Sequence, residues 1–143
     1  MIVLDAYAVL ALLKGEPSAP RVRALLDADE ASPTVLGVAE VLDHLIRIVG
    51  ASEEDASLDL AQLGLAEPDP LDAAVSMEAG RLRARHYHRR DRAVSLADCV
   101  VAETARSAST SVVSADPYLL DMCRDEGIDV VPLPDSRGVT WTR

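Results

Sequence analysis

The sequence predicts a single-domain α/β protein, a three-layer α/β/α sandwich around a central parallel sheet. Short apolar runs at residues 2–4, 111–114 and 128–131 are separated by longer stretches with helical periodicity, the pattern of a parallel sheet covered on both faces. The 143 residues hold one Trp, three Tyr and no Phe, so the core must be built from Leu, Val, Ile and Ala. At this length a chain buries enough surface for one core and too little for two. With 49% hydrophobic residues and a mean hydropathy of +0.11, a disordered chain is excluded.

Ile2-Val3-Leu4 is a short buried strand closed by Asp5, and residues 8–14 follow as a helix stopped at Gly15. Ser18 and Pro20 open a second helix to about Ala28. The Ser32-Pro33-Thr34 cluster ends the loop before a third helix, residues 35–49, closed by Gly50. Ser52 and Asp55 have the spacing of a capping box for a fourth helix that reaches about Leu63 and stops at Gly64. Residues 65–67, between Gly64 and the prolines Pro68 and Pro70, are predicted as a short strand, and residues 71–90 as one long helix. Ser95-Leu96-Ala97-Asp98 is a second capping box, for a helix to about Ala108. After the strand at 111–114, Asp116-Pro117 pairs an N-cap with proline at the first helical position, and the last strand follows Gly127. The domain is placed at residues 1–134, with a tail at 135–143.

Composition narrows the function. The longest apolar stretch, residues 6–13, is far short of the roughly 20 residues that span a bilayer, and no basic segment precedes it, so a cytoplasmic location is expected. Cys99 and Cys123 form no Cys-x-x-Cys motif and His44, His86 and His88 no zinc pattern; free buried thiols are expected. A net charge of −10 argues against sequence-blind nucleic-acid binding. Residues 81–92 depart from that average, with six arginines against one acid. Such a run suits a phosphate-steering patch, a solvated helix face or a dock for an acidic partner. As a phosphate-steering patch, its contacts with a nucleic-acid backbone would come from Arg81, Arg85 and Arg89.

In an open parallel sheet ligands bind beyond the carboxyl ends of the strands. Asp5 ends the first strand, Asp116 follows the strand at 111–114, and Asp98 lies in the first turn of the helix before it. Glu40, in the third helix, is a fourth candidate. Each has a structural explanation: the aspartates as helix caps, and Glu40 in a solvated stripe with Asp43, His44 and Arg47. Together they say more, because carboxylates brought within a few ångströms repel unless a cation sits between them. Oxygen-only ligands favour Mg²⁺ or Mn²⁺, and such a site suits phosphodiester hydrolysis by a metal-activated water.

The opening Ile2-Val3-Leu4-Asp5-Ala6-Tyr7-Ala8 through Gly15-Glu16-Pro17, the helical Glu40, Ser95-Leu96-Ala97-Asp98 and Ser114-Ala115-Asp116 resemble the PIN domains over residues 1 to about 134. The closest resemblance is to the small stand-alone VapC ribonuclease toxins. It implies a Mg²⁺-dependent endoribonuclease, Mn²⁺ substituting, with metal-binding acids at Asp5, Glu40, Asp98 and Asp116. Ser114 matches a position where the family places a Ser or Thr that orients a water or carboxylate. Tyr7 departs from the small hydroxyl residue common two positions after the first Asp. The resemblance also implies a homodimer, a VapB-like antitoxin that lays a basic residue over the acids, and DNA contact only through that antitoxin.

Alternatives from other classes are weighed on residues. A phospho-acceptor receiver domain needs a late lysine, and the only lysine is Lys14. A haloacid-dehalogenase-type phosphatase needs Asp-x-Asp where this chain has Asp5-Ala6-Tyr7, and no Gly-x-x-x-x-Gly-Lys segment exists for a P-loop enzyme. An inactive PIN-like binding module remains, opposed by the intact acids.

Overall fold

Four short strands, β1 (Ile2–Leu4), β2 (Ala31–Pro33), β3 (Ser111–Ser114) and β4 (Val130–Pro132), pair in parallel in the order β2-β1-β3-β4. The computed structural model describes residues 1–143. Seven helices cover the sheet: α1 (Ala6–Lys14), α2 (Ala19–Ala28), α3 (Val35–Asp43), α4 (Glu53–Ala61), α5 (Ala73–His86), α6 (Leu96–Ser107) and α7 (Pro117–Asp125). A π-helical turn, His44–Val49, prolongs α3.

Alternation of side chains along the strands divides the core in two. Val3 and Val112 face one layer, where Leu82 of α5, Val101 of α6 and Leu119 and Met122 of α7 bury against them. Ile2, Leu4 and Val113 face the other, against Val9 of α1, Val22 of α2, Val41 of α3 and Ala56 of α4. These aliphatic side chains, with Cys99 and Cys123 as free buried thiols, fill both layers, and no aromatic ring is fully buried. The three-layer sandwich is as the sequence predicts.

The order of the strands positions the site. From β1 the chain crosses through α1 and α2 to β2 on one side; later it enters β3 on the other side and crosses through α7 to β4. Crossovers of one hand running in opposite directions put their helices on opposite faces and leave a crevice at the carboxyl ends of β1 and β3. The register Leu4↔Val113 sets Asp5 beside Ser114 in that crevice.

Three local expectations are corrected. Residues 31–33, predicted as loop, form β2: Pro33 lacks an N–H, which an edge strand tolerates because its outer side needs no ladder partner. Residues 65–67 are not a strand. They pass the outer edge of β2 with one backbone bond, Ala66 N to Ala31 O at 2.8 Å, and Pro68 and Pro70 have no donors to extend it. The helix predicted over 71–90 is shorter, because Asp72 caps it by accepting from Val75 N (2.8 Å) and a turn follows His86. There His88 and Arg92 exchange two backbone bonds of 2.9 Å, and His88 Nδ1 accepts from Arg90 N and Asp91 N, giving these groups partners outside a helix. In the segment 135–143, to which the sequence assigns no element, Trp141 Nε1 donates to Asp121 Oδ1 on α7 (2.8 Å), and Pro134 and Thr140 form a bridge.

Candidate active site

Both carboxylate oxygens of Asp5, at the end of β1, accept a hydrogen bond and keep a further lone pair each. Its Oδ1 accepts from Ala8 N (2.8 Å), capping α1, and its Oδ2 accepts from the Ser114 hydroxyl at the end of β3. Ser114 Oγ in turn accepts from Asp116 N (2.9 Å), so one hydroxyl ties the first aspartate to the last. Asp116 caps α7 through Oδ1 and Tyr118 N (2.9 Å), with Pro117 at the first helical position where a missing donor costs nothing. Asp98 closes a reciprocal capping box: its Oδ2 accepts from Ser95 N (2.8 Å) while its own N donates to Ser95 Oγ (3.0 Å). The similar Ser52–Asp55 pair forms only half of one, with Asp55 N donating to Ser52 Oγ at 3.1 Å.

Capping and chemistry are therefore not rivals here. Each cap fixes a carboxylate's rotamer and occupies one oxygen, and in Asp98 and Asp116 the second oxygen is left for another partner. The helix N-termini also aim their positive dipole ends toward the crevice, which offsets part of the concentrated negative charge.

The offset is incomplete. Burial pushes the Asp5 carboxyl up to about 7; hydrogen bonds from Ser114 and Ala8 oppose this, and the charges of Asp98 and Asp116 add to it. Asp98 is raised by burial and then by Asp116, against the hydrogen bond from Ser95. Glu40 lies on the exposed side of α3, yet partial burial of its carboxyl and the charge of Asp98 raise it too. All four candidate acids thus share one electrostatic neighbourhood, although Glu40 makes no hydrogen bond within it. None of the four forms an ion pair, whereas Asp43, one turn along α3, is bound by Arg47 at 2.8 and 3.0 Å.

No three His, Cys, Asp or Glu side chains converge closely enough to enclose an ion by direct contacts alone. The donor set nevertheless suits a hard divalent cation. It is all oxygen, the three aspartates are each held by a cap, and uncompensated repulsion is relieved by added positive charge. Mg²⁺ characteristically keeps several waters and takes only one or two carboxylates, so wider spacing fits it better than a dehydrated ion.

The structure divides the basic run. Arg81 pairs with Glu78 on its own helix, and Arg83 donates to Val94 O (3.0 Å) and stacks over Tyr87. Arg85 binds Glu126 at 3.2 Å, and Arg92 binds Asp125 at 2.8 Å. Arg89 and Arg90 are exposed at the turn after α5, their side chains in no ion pair or hydrogen bond. Tyr118 Oη donates to Arg90 O (3.2 Å), which brings that turn against the residue two positions past Asp116. No sequence signal links Tyr118 to Arg90, 28 positions apart, so Arg90 goes unselected when the run is read as a string. Tyr7 turns its hydroxyl toward Pro134 O (3.4 Å), bracing α1 against the segment after β4.

A cavity of about 350 Å³ lies elsewhere, between β2, α6 and the start of α5, with Glu30, Glu67, Asp69 and Asp72 on its walls. None of the candidate acids reaches it.

An open α/β sheet with carboxylates gathered at its switch point places the molecule among the α/β proteins whose ligand site lies at the carboxyl ends of the strands. Residues 2–125 match the PIN domain family model, and the chain belongs to that family, whose members are generally nucleases. Three solved structures are similar in fold: VapBC2 from Rickettsia felis bound to a DNA fragment from their promoter (18% identity, TM-score 0.68, covering 92% of this chain and 98% of that one), VapBC-1 from nontypeable Haemophilus influenzae (19%, 0.67, 92% and 97%), and FitAcB from Neisseria gonorrhoeae (20%, 0.62, 91% and 96%). No curated protein matches the chain. No helix is long and apolar enough to cross a membrane.

Proposed function

We propose that this PIN domain is a Mg²⁺-dependent endoribonuclease of the VapC toxin kind, held in check by a VapB-like antitoxin. The observation that carries the reading is the carboxylate crevice itself: burial and the charges of Asp98 and Asp116 raise Asp5, Asp116 adds to the burial that raises Asp98, Asp98 adds to the burial that raises Glu40, and none of the four acids is in an ion pair. Asp5, Asp98 and Asp116 would hold the ion, in part through water, with Glu40 at the flank. When bound, Mg²⁺ or Mn²⁺ supplies a water of lowered pKa and neutralises the charge on the phosphate and its leaving oxygen.

The chain's own residues do the rest. Helix caps lock the three aspartates so that no reorganisation is needed when substrate arrives. Ser114 holds Asp5 Oδ2 and Asp116 N in one hydrogen-bonded unit, fixing the distance between the strands that carry them. The crevice lacks a histidine and a nucleophilic cysteine; Cys99 and Cys123 are buried, and burial pushes both thiols up to about 12. A covalent route is thereby disfavoured, and hydrolysis by water is the chemistry that the residues support.

An antitoxin partner is supported by the toxin–antitoxin complexes that share the fold, and an acidic crevice is a natural receptor for a guanidinium presented by that partner. A homodimer, and DNA contact only through the antitoxin, belong to the same reading. The direct test is cleavage of an RNA pool by the purified chain with Mg²⁺, with EDTA, and with Asp98→Asn. Cleavage only by the native chain with metal is expected; cleavage that survives both EDTA and the substitution would overturn the metal mechanism. Titration of Mg²⁺ at pH 8 followed by melting gives a second readout: the native chain is expected to gain stability by mass action and Asp98→Asn to gain less.

A further inference from the structure

We infer that Arg89 and Arg90, at the tip of the turn between α5 and α6, are the contact that holds the phosphate backbone of an RNA strand beside the crevice. This rests on the ribonuclease reading and adds to it the place where the polyanion is gripped. The sequence offers six arginines between positions 81 and 92, and the structure engages four of them internally: Arg81 with Glu78, Arg83 with Val94 O and the Tyr87 ring, Arg85 with Glu126, and Arg92 with Asp125 and His86. An arginine already bound to a carboxylate offers little charge to a phosphate. Arg89 and Arg90 are exposed and unengaged.

Their backbone is nevertheless fixed. The paired bonds between His88 and Arg92 close the turn, His88 Nδ1 accepts from the N–H groups of Arg90 and Asp91, and Tyr118 Oη donates to Arg90 O. The last contact sets the turn next to Asp116, whose carboxylate caps the same Tyr118 N–H. On its other side the turn runs through Val94, held by Arg83, into the capping box that contains Asp98. The backbone of the cationic tip is thus tied to the Asp116 end of the crevice through Tyr118, and the chain leads from it within a few residues to the capping box of Asp98. One acid, Asp91, shares the tip and lies 3.4 Å from His88 Nδ1.

Charge decides what such a tip is for. A chain of net −10 repels RNA at long range, and the crevice repels it most, so a strand that presents a phosphate there needs a compensating contact within a few ångströms. Arginine suits this role because its planar fork matches phosphate oxygens and carries no base preference. An acidic protein segment is the other polyanion that could be considered; the position beside the acids favours a strand that must also enter the crevice.

The test measures binding of a fluorescein-labelled single-stranded RNA by anisotropy over a salt series, in the Asp98→Asn background so that the probe is not cut. Each single-strand phosphate contact contributes about 0.7 to the slope of log K against log salt, so Arg89→Gln/Arg90→Gln is expected to flatten the slope by about 1.4 and to weaken binding about tenfold at low salt. Arg89→Lys/Arg90→Lys is expected to keep most of the slope. Arg21→Gln/Arg23→Gln removes the same formal charge from exposed positions on α2 and is expected to change little. An unchanged slope in the Arg89/Arg90 variant, an equal change in the α2 variant, or loss of poly-glutamate binding with RNA binding intact would each overturn the inference. If the native chain still cleaves RNA in those cases, only the turn assignment falls; if it cleaves none, the ribonuclease reading falls with the cleavage test.

Discussion

Two clusters of charge, built from the same kinds of residue, behave in opposite ways. At the carboxyl edge of the sheet, Asp5, Asp98 and Glu40 are held above their ordinary range because burial and neighbouring acids disfavour their charge. At the ends of α5, α6 and α7, Glu126 is also partly buried, but hydrogen bonds from His86 (2.6 Å), Arg106 (2.8 Å) and Arg85 (3.2 Å) outweigh burial and pull it down to about 2. Arg92 donates to His86 Nδ1 at 2.7 Å, which leaves Nε2 as the donor to Glu126 and completes a network spanning three helices. A carboxylate with cations around it serves the fold. A group of carboxylates with none opposes the fold in the absence of something bound, and such opposition marks a site for a ligand.

The largest effect should come from breaking that pattern at Asp5. Asp5→Asn removes the charge, keeps an oxygen for Ala8 N and offers an NH₂ to Ser114 Oγ, whose own hydroxyl proton must then turn to another acceptor. Cleavage activity is expected to fall by about 10²–10³-fold, while the metal-free protein at pH 8 gains roughly 1–3 kcal/mol in a urea titration. Activity and stability moving in opposite directions is the signature of the crevice; a loss of both would show that Asp5 serves the fold alone.

At Glu126 the same type of change should do the reverse. Glu126→Gln leaves Arg85 without its carboxylate and Arg106 with Glu103 alone (3.3 Å), and is expected to cost about 2 kcal/mol, with cleavage retained in whatever fraction stays folded. A gain in stability would dissolve the contrast.

The two clusters also predict opposite slopes with pH. Asp5 in the folded chain keeps its proton to about 7, whereas the unfolded chain releases it near 3.8, so metal-free stability falls as pH rises between those values. Glu126 holds its charge down to about 2, whereas the unfolded chain takes up a proton near 4.5, so stability is lost as pH falls from 4.5 to 2. Urea midpoints without metal should therefore peak near pH 4–5, the alkaline limb flattening in Asp5→Asn and the acid limb in Glu126→Gln.

Much of this was legible in the sequence, for reasons that differ by residue. β1, β3 and the Asp116-Pro117 start of α7 follow from short-range rules, apolar runs and capping chemistry, and the structure follows them. β2 was not legible, because Ala31-Ser32-Pro33 has no strand composition and owes its place to pairing with β1. The end of α5 was hidden likewise: helical periodicity runs on past His86, and the bonds that stop it come from His88 and Arg92. Among the candidates, the three aspartates could be named because strand ends and caps are local features. The split of the arginine run could not, since Glu126 and Asp125 lie more than 30 positions from Arg85 and Arg92, the members of the run that they bind.

The smallest expected effect separates neighbours on one helix. Glu40, Asp43, His44 and Arg47 have the spacing of a solvated stripe, and in the structure they part company. Asp43 is exposed and held below its ordinary range, first by its hydrogen bonds from Arg47, while Glu40 is raised by burial and by Asp98. Lys14 Nζ reaches His44 Nε2 at 3.1 Å, so the far end of the stripe belongs to α1 and not to the crevice. An exposed i,i+4 pair contributes little in water, so Asp43→Asn should leave both the melting temperature and cleavage unchanged within error. Glu40→Gln should leave the melting temperature unchanged as well but lower cleavage several-fold, chiefly by weakening the response to Mg²⁺ at low concentration. Equal behaviour of the two variants would place Glu40 back in the stripe and confine the crevice to its three aspartates.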